Sequence, residues 1–230
     1  MEYWKKCVIF AEILLKLRFK EINYTMKKKN LIAKTFILAT AFLTVACSSQ
    51  PTAPKAEAAQ GVIENIMTRA SVRQFTDRPI SSDTLETIVR AGMAAPSAMN
   101  LQPWAFVVVT EREVLDSLNS VHPYSNLATA TAAIIVCGDM QKAGKYAARE
   151  YWVQDCSAAT ENILLAAHSL GIGAVWCGVY PNPERIPGVT QVLGLPESII
   201  PLNIITMGYP AAEVQPKDKW NPDNVHYQHW

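Results

Sequence analysis

The chain has 230 residues, half of them hydrophobic, which is enough to bury a substantial core, and its formal net charge is +1. That near-neutral total hides an uneven distribution: residues 1–46 hold nine Lys/Arg and three Glu, and the remainder has 12 basic and 17 acidic residues, net −5. An acidic body argues against nucleic acid or an anionic membrane surface as partner. Five cysteines are too few for a disulfide scaffold.

Residues 1–25 are mixed basic and apolar and are expected to be an upstream segment ahead of the functional start at Met26. From Met26 the chain reads MKKKNLIAKTFILATAFLTVACSSQ: a basic start, an apolar run to Ala46, then Cys and serines. This is the layout of a secretory signal peptide, and the run is too short for a comfortable membrane span. The residues before Cys47 resemble the lipobox of bacterial lipoproteins, with Thr44 where an aliphatic residue is usual. The resemblance implies removal of 26–46 and acylation of Cys47, so that a lipid would be the protein's only tie to a membrane. The expected address is export, as an anchored lipoprotein or a periplasmic protein. Residues 47–60, rich in Pro, Ala and Ser, suggest a flexible tether, and the globular domain is expected over 61–230.

Within that domain Ser81 is a plausible cap for an amphipathic helix over 81–94, with Leu85, Ile88, Val89 and Met93 on one face. A strand at 104–109, a helix at 111–119 and a strand at 132–138 follow. The longest element runs from Ala147 to Leu170, Ala-rich on several faces and closed by Gly171, and so should be buried nearly all round. GAVWCG (173–178) and IIPLNIITMGYP (199–210) supply further strands, joined by a Pro-rich loop and a short helix. The tail from Ala211 is polar and aromatic with little period. Helices and strands alternate without regular βαβ spacing, which predicts an α+β domain with a mixed sheet.

Several chemistries find no residues to carry them. No GxGxxG or P-loop is present, since GIGAVWCG has the wrong glycine spacing. Cys137, Cys156 and Cys177 lie in apolar segments without CxxC or Cys/His spacing, and His226 and His229 lack a third ligand, so no metal site is expected.

Three segments stand out together: TRASVRQF (68–75), APSAMNLQPW (95–104) and WCGVYP (176–181), followed downstream by PKDKW (216–220). Arg69 and Arg73, each two residues from Ser71, offer guanidinium forks and a hydroxyl to an anion, and Lys217 and Lys219 repeat the pattern. These four are a third of the 12 cations after residue 46. Ser97, Asn100 and Gln102 place polar side chains where the backbone is about to enter an apolar strand, which fits either a ligand contact or a capped turn. Trp176 and Cys177 could equally be core residues.

Taken together, over roughly residues 61–226, these blocks resemble the nitroreductase family of FMN-dependent oxidoreductases. The resemblance implies a homodimer with an extended C-terminal tail, two FMN sites at the dimer interface, and the long Ala-rich helix packed on its partner. It implies that Arg69, Ser71, Arg73, Lys217 and Lys219 serve the phosphate and ribityl chain, although Arg is common in the family where Lys219 stands. It implies that Asn100 bonds the polar edge of the flavin, that Pro96 and Ser97 reach FMN held mainly by the other subunit, and that Trp176, Cys177 and Gly178 line the ring, with the Gly178 backbone near N5. The implied activity passes hydride from NAD(P)H, or another reductant, to a nitroaromatic, quinone or similar small acceptor. A flavin-dependent dehalogenase of the same superfamily is the alternative enzyme, although 110–150 is too short and plain to show the substrate lid those proteins carry. A flavin-binding lipoprotein without turnover is the alternative from another class.

Overall fold

Ser81 does what its sequence position predicts. Its side chain accepts from the Thr84 N–H and starts helix α2 (Ser82–Met93), which buries Leu85 and Ile88. Met93, expected on the same face, is half exposed; Gly92 is the buried residue there, because the helix presses so close to its neighbour that a Cβ at 92 would stand 2.8 Å from Ile163. In this computed structural model the described residues are Lys20, 54–145 and 147–230. The rest of segment 1–25, the leader 26–46 and Cys47 lie outside them.

Helix α1 (Pro54–Thr68) corrects the expected tether, because 54–60 is helical. The sequence reason is visible in retrospect: Pro54 sits at the first helical position, where its missing N–H costs nothing, and KAEAAQ after it is made of strong helix formers. The chain divides into units Met1–Ala58 and Ala59–Trp230, and the second carries the sheet.

That sheet has four strands, β1 (Trp104–Val109), β2 (Ala132–Asp139), β3 (Gly173–Gly178) and β4 (Ile199–Gly208), in the order β1-β2-β4-β3. All three pairings are antiparallel, and the parallel component of the expected mixed sheet is the single bridge between Ser71 and Ala174 on the outer edge of β3. Strands β2 and β4 occupy the centre and are nearly continuous apolar runs, as strands covered on both faces must be.

Each face has its own core. One joins Ile134, Val136, Ile205 and Met207 to α2 and the long helix α5 (Trp152–Ser169). The other joins Ile135, Cys137, Cys177 and Ile204 to α3 (Arg112–Val121) and α6 (Arg185–Leu193). The long helix expected over 147–170 is broken at Tyr151 into α4 (Ala147–Glu150) and α5. The Trp152 ring occupies the space where a Cβ of Gly138 would stand, and seating it on β2 overrides the local preference for one continuous helix. Gly171 ends α5 as expected, with φ +72.

Candidate active site

Helix α5 is the ruler on which the candidate site is laid out. Near its start, buried Asp155 accepts from the Ala98 N–H at 2.9 Å and so holds the loop APSAMNLQPW from a position 57 residues away. Two turns later Glu161 pairs with Arg69 at 3.3 Å. Their separation of six positions places the two contacts about 9 Å apart along the axis.

The loop is strained. Met99, Asn100 and Gln102 all have positive φ, at 51°, 55° and 50°, a conformation that non-glycine residues adopt at a cost of about 1–3 kcal/mol each. The strain is held by local bonds: the Ser97 hydroxyl accepts from Gln102 N–H at 3.0 Å, and the Gln102 amide donates to Asn100 Oδ1 at 3.2 Å. The two readings left open by the sequence are compatible: the Ser97 hydroxyl serves the loop's own backbone at Gln102, while Pro96 and Asn100 stay exposed.

Arg69, Lys217 and Lys219, about 150 positions apart in the chain, line one open cavity of about 700 Å³ with Glu161, Asp218 and Trp220. Three cations against two carboxylates leave that cavity net positive by one. Ser71 is pinned by its bridge to Ala174, and Arg73, exposed, reaches the Ser71 carbonyl at 3.4 Å; neither lines the cavity. Pro96, Ser97 and Asn100 do not line it either.

Strand alternation sorts the three β3 residues. Trp176 (37% exposed) and Gly178 share the α5 face, and a Cβ added at Gly178 would meet nothing within 4 Å. Cys177 is a correction. Its side chain points to the opposite core, where Sγ lies 3.2 Å from the Ser125 carbonyl, and burial pushes the thiol up despite the Arg73 and Arg185 charges. Only its backbone can belong to a site on the α5 face.

Sequence reasoning missed four residues. Asp155 did leave a signal, as a carboxylate near the start of an apolar helical run. Glu161 left a weaker one. His122 and Arg185 left none: His122 is buried at the end of α3, Arg185 opens α6, and both reach the Gly178 carbonyl, at 3.0 and 2.9 Å. Burial, with the Arg185 charge adding to it, lowers the His122 pKa.

The arrangement offers cations for a phosphate, an unfilled space over a glycine and an exposed indole beside it. Cys137 and Cys156 are buried, their thiols pushed up to about 12, which makes them inert.

Comparison with known proteins points the same way. The model of the Nitroreductase family matches residues 66–124 and 121–209. A protein of Archaeoglobus fulgidus, described provisionally as an NADH dehydrogenase/NAD(P)H nitroreductase, is 47% identical over 172 residues, 73% of this chain and 98% of its own. A crystal structure of a Parabacteroides distasonis protein with the same provisional description superposes with TM-score 0.70 at 44% identity, over 74% of this chain and 99% of that one. The NADPH:FMN oxidoreductase of Vibrio harveyi, solved in complex with NAD⁺, superposes with TM-score 0.66 at 28% identity, over 74% and 77% of the two chains.

Proposed function

The chain belongs to the nitroreductase family, and from that membership we propose an FMN-dependent oxidoreductase that takes hydride from NADH or NADPH and delivers it to a nitroaromatic, quinone or similar small acceptor. When bound, FMN supplies the ring that carries the hydride. The protein's share is to bind, orient and bias that ring electrostatically. The observation that carries the reading is the convergence of Arg69, Lys217 and Lys219 on one open cavity, since a dianionic phosphate gives such distant cations a common partner. Gly178 fits the group as well, because a flat ring can approach backbone where no Cβ stands. Ser71 and Arg73 lie along the same edge of β3, and Trp176 flanks the open space.

The test is spectroscopic. Purified full chain loaded with FMN is mixed anaerobically with NADH and with NADPH, and bleaching of the flavin bands within minutes is expected from at least one. Bleaching by dithionite alone would remove the nicotinamide donor from the proposal.

We propose further a homodimer with the flavin shared between protomers. Pro96 and Asn100 are exposed and stand apart from the cation cavity, as residues serving a second subunit's ligand would. Val62, Ile63 and Met67 of α1, with Trp220, Tyr227 and Trp230 of the tail, are exposed large apolar side chains that a second subunit could cover. Export with a lipid at Cys47 completes the proposal. Mass spectrometry of native protein should find an acylated peptide beginning at Cys47, and abundant peptides from 1–25 would remove that part.

A further inference from the structure

The peptide joining Gly178 to Val179 is held from both ends. Its N–H, on Val179, donates to the Leu202 carbonyl of β4 at 3.0 Å. A trans peptide directs its C=O the opposite way, so the Gly178 carbonyl points off the outer edge of β3. There it meets two donors, His122 Nε2 at 3.0 Å and Arg185 Nη1 at 2.9 Å. A carbonyl can only accept, so Nε2 carries the imidazole proton, and Nδ1 is left buried without a partner. Leaving a buried nitrogen unpaired is a cost that this one contact must offset. Both donors are set by the fold: His122 follows the last turn of α3, and the Asn182 side chain, accepting from the Glu184 and Arg185 N–H groups, fixes the start of α6.

We propose that His122 and Arg185 are positioning residues, a two-donor clamp that fixes the backbone of Gly178 and places a guanidinium charge behind it. Glycine has the freest backbone of any residue, so a restraint on the carbonyl that follows its Cα narrows the directions that backbone can take. The clamp supplies that restraint from the layer opposite the open space, without occupying it. The Arg185 charge, bonded to the Gly178 carbonyl, favours electron density gained in the open space over that residue, and the reduced flavin is the electron-rich form. This inference rests on the FMN reading above.

The test uses full chain carrying Arg185→Met, Arg185→Lys or His122→Leu. In FMN-free protein, loss of a donor should move the Gly178 carbonyl ¹³C resonance upfield, with Arg185→Lys closer to wild type than Arg185→Met. In FMN-loaded protein, Arg185→Met should shift the equilibrium between reduced and oxidised flavin about tenfold toward oxidised, which is about 30 mV for a two-electron couple. Arg185→Lys, keeping the charge, should recover most of that shift. Arg185→Met is the more secure variant, since Arg185 is only half-buried whereas His122 is fully enclosed. An unmoved carbonyl resonance, or a potential unchanged in both Arg185→Met and His122→Leu, overturns the clamp while leaving the FMN reading intact. A wild-type chain that takes up no FMN overturns both.

Discussion

Gly178 and Arg69 should respond differently to alanine. At Gly178 a methyl group meets no protein atom, so Gly178→Ala should keep the wild-type melting temperature while filling space a ring would need. FMN affinity should fall by about one to two orders of magnitude, the scale of overpacking by a methyl group, as read by flavin titration. If Arg69 binds the phosphate as proposed, Arg69→Ala should weaken FMN by about 1.5–3 kcal/mol, the scale of a charge-assisted hydrogen bond. His122 gives a pH signature. Its folded pKa lies below the ordinary histidine value near 6.5, so the native state resists a proton that the unfolded chain accepts. Stability is therefore fully present above about pH 6.5 and is lost as pH falls toward the folded pKa, with a slope of at most about 1.4 kcal/mol per pH unit. His168, lowered by burial and the Arg69 charge, acts in the same sense. Urea midpoints measured from pH 7.5 to 5 should fall accordingly, and His122→Gln should flatten the dependence.

At the scale of elements, α5 couples the strained loop to the cation cavity. Asp155→Ala removes a buried carboxylate that accepts from the loop backbone and should destabilise the fold by about 1.5–3 kcal/mol. A shift in urea midpoint without a change in m would register it, with FMN affinity falling as Asn100 loses its fixed position. Gly92→Ala probes the other side of α5. The added methyl would stand 2.8 Å from Ile163 and should cost about 1–3 kcal/mol, with little direct effect on flavin. The strands were legible in the sequence, with β1 and β3 beginning and ending where their apolar runs do, because a sheet edge or turn truncates both pattern and pairing at one residue. The break at Tyr151 was not legible, because it depends on seating Trp152 over Gly138, a contact between segments that local periodicity does not contain.

For the whole molecule, the tail separates stability from function. Residues 211–230 are exposed except for Val225, and the core strands end at Gly208. Truncation after Val214 should leave the melting temperature of FMN-free protein within a few degrees of wild type. It should also abolish flavin retention, since Lys217 and Lys219 go with it. Sedimentation of wild-type holoprotein should give a dimer that releases FMN on dilution to monomer, and a stable holo-monomer would contradict the shared site.

The sequence by itself determined the α+β class, the boundaries of most elements and the family resemblance, and it singled out Arg69, Arg73, Lys217 and Lys219 as cations for an anion, of which the structure brings all but Arg73 to one cavity. Each of these is written either in local periodicity or in residue types that an anion requires. Only the tertiary structure decided that Cys177 faces away from the site, that Asp155 holds the loop, and that His122 and Arg185 meet at one carbonyl. Those facts depend on which face a strand presents and which helix ends share a layer, and these are set by packing between segments far apart in the chain.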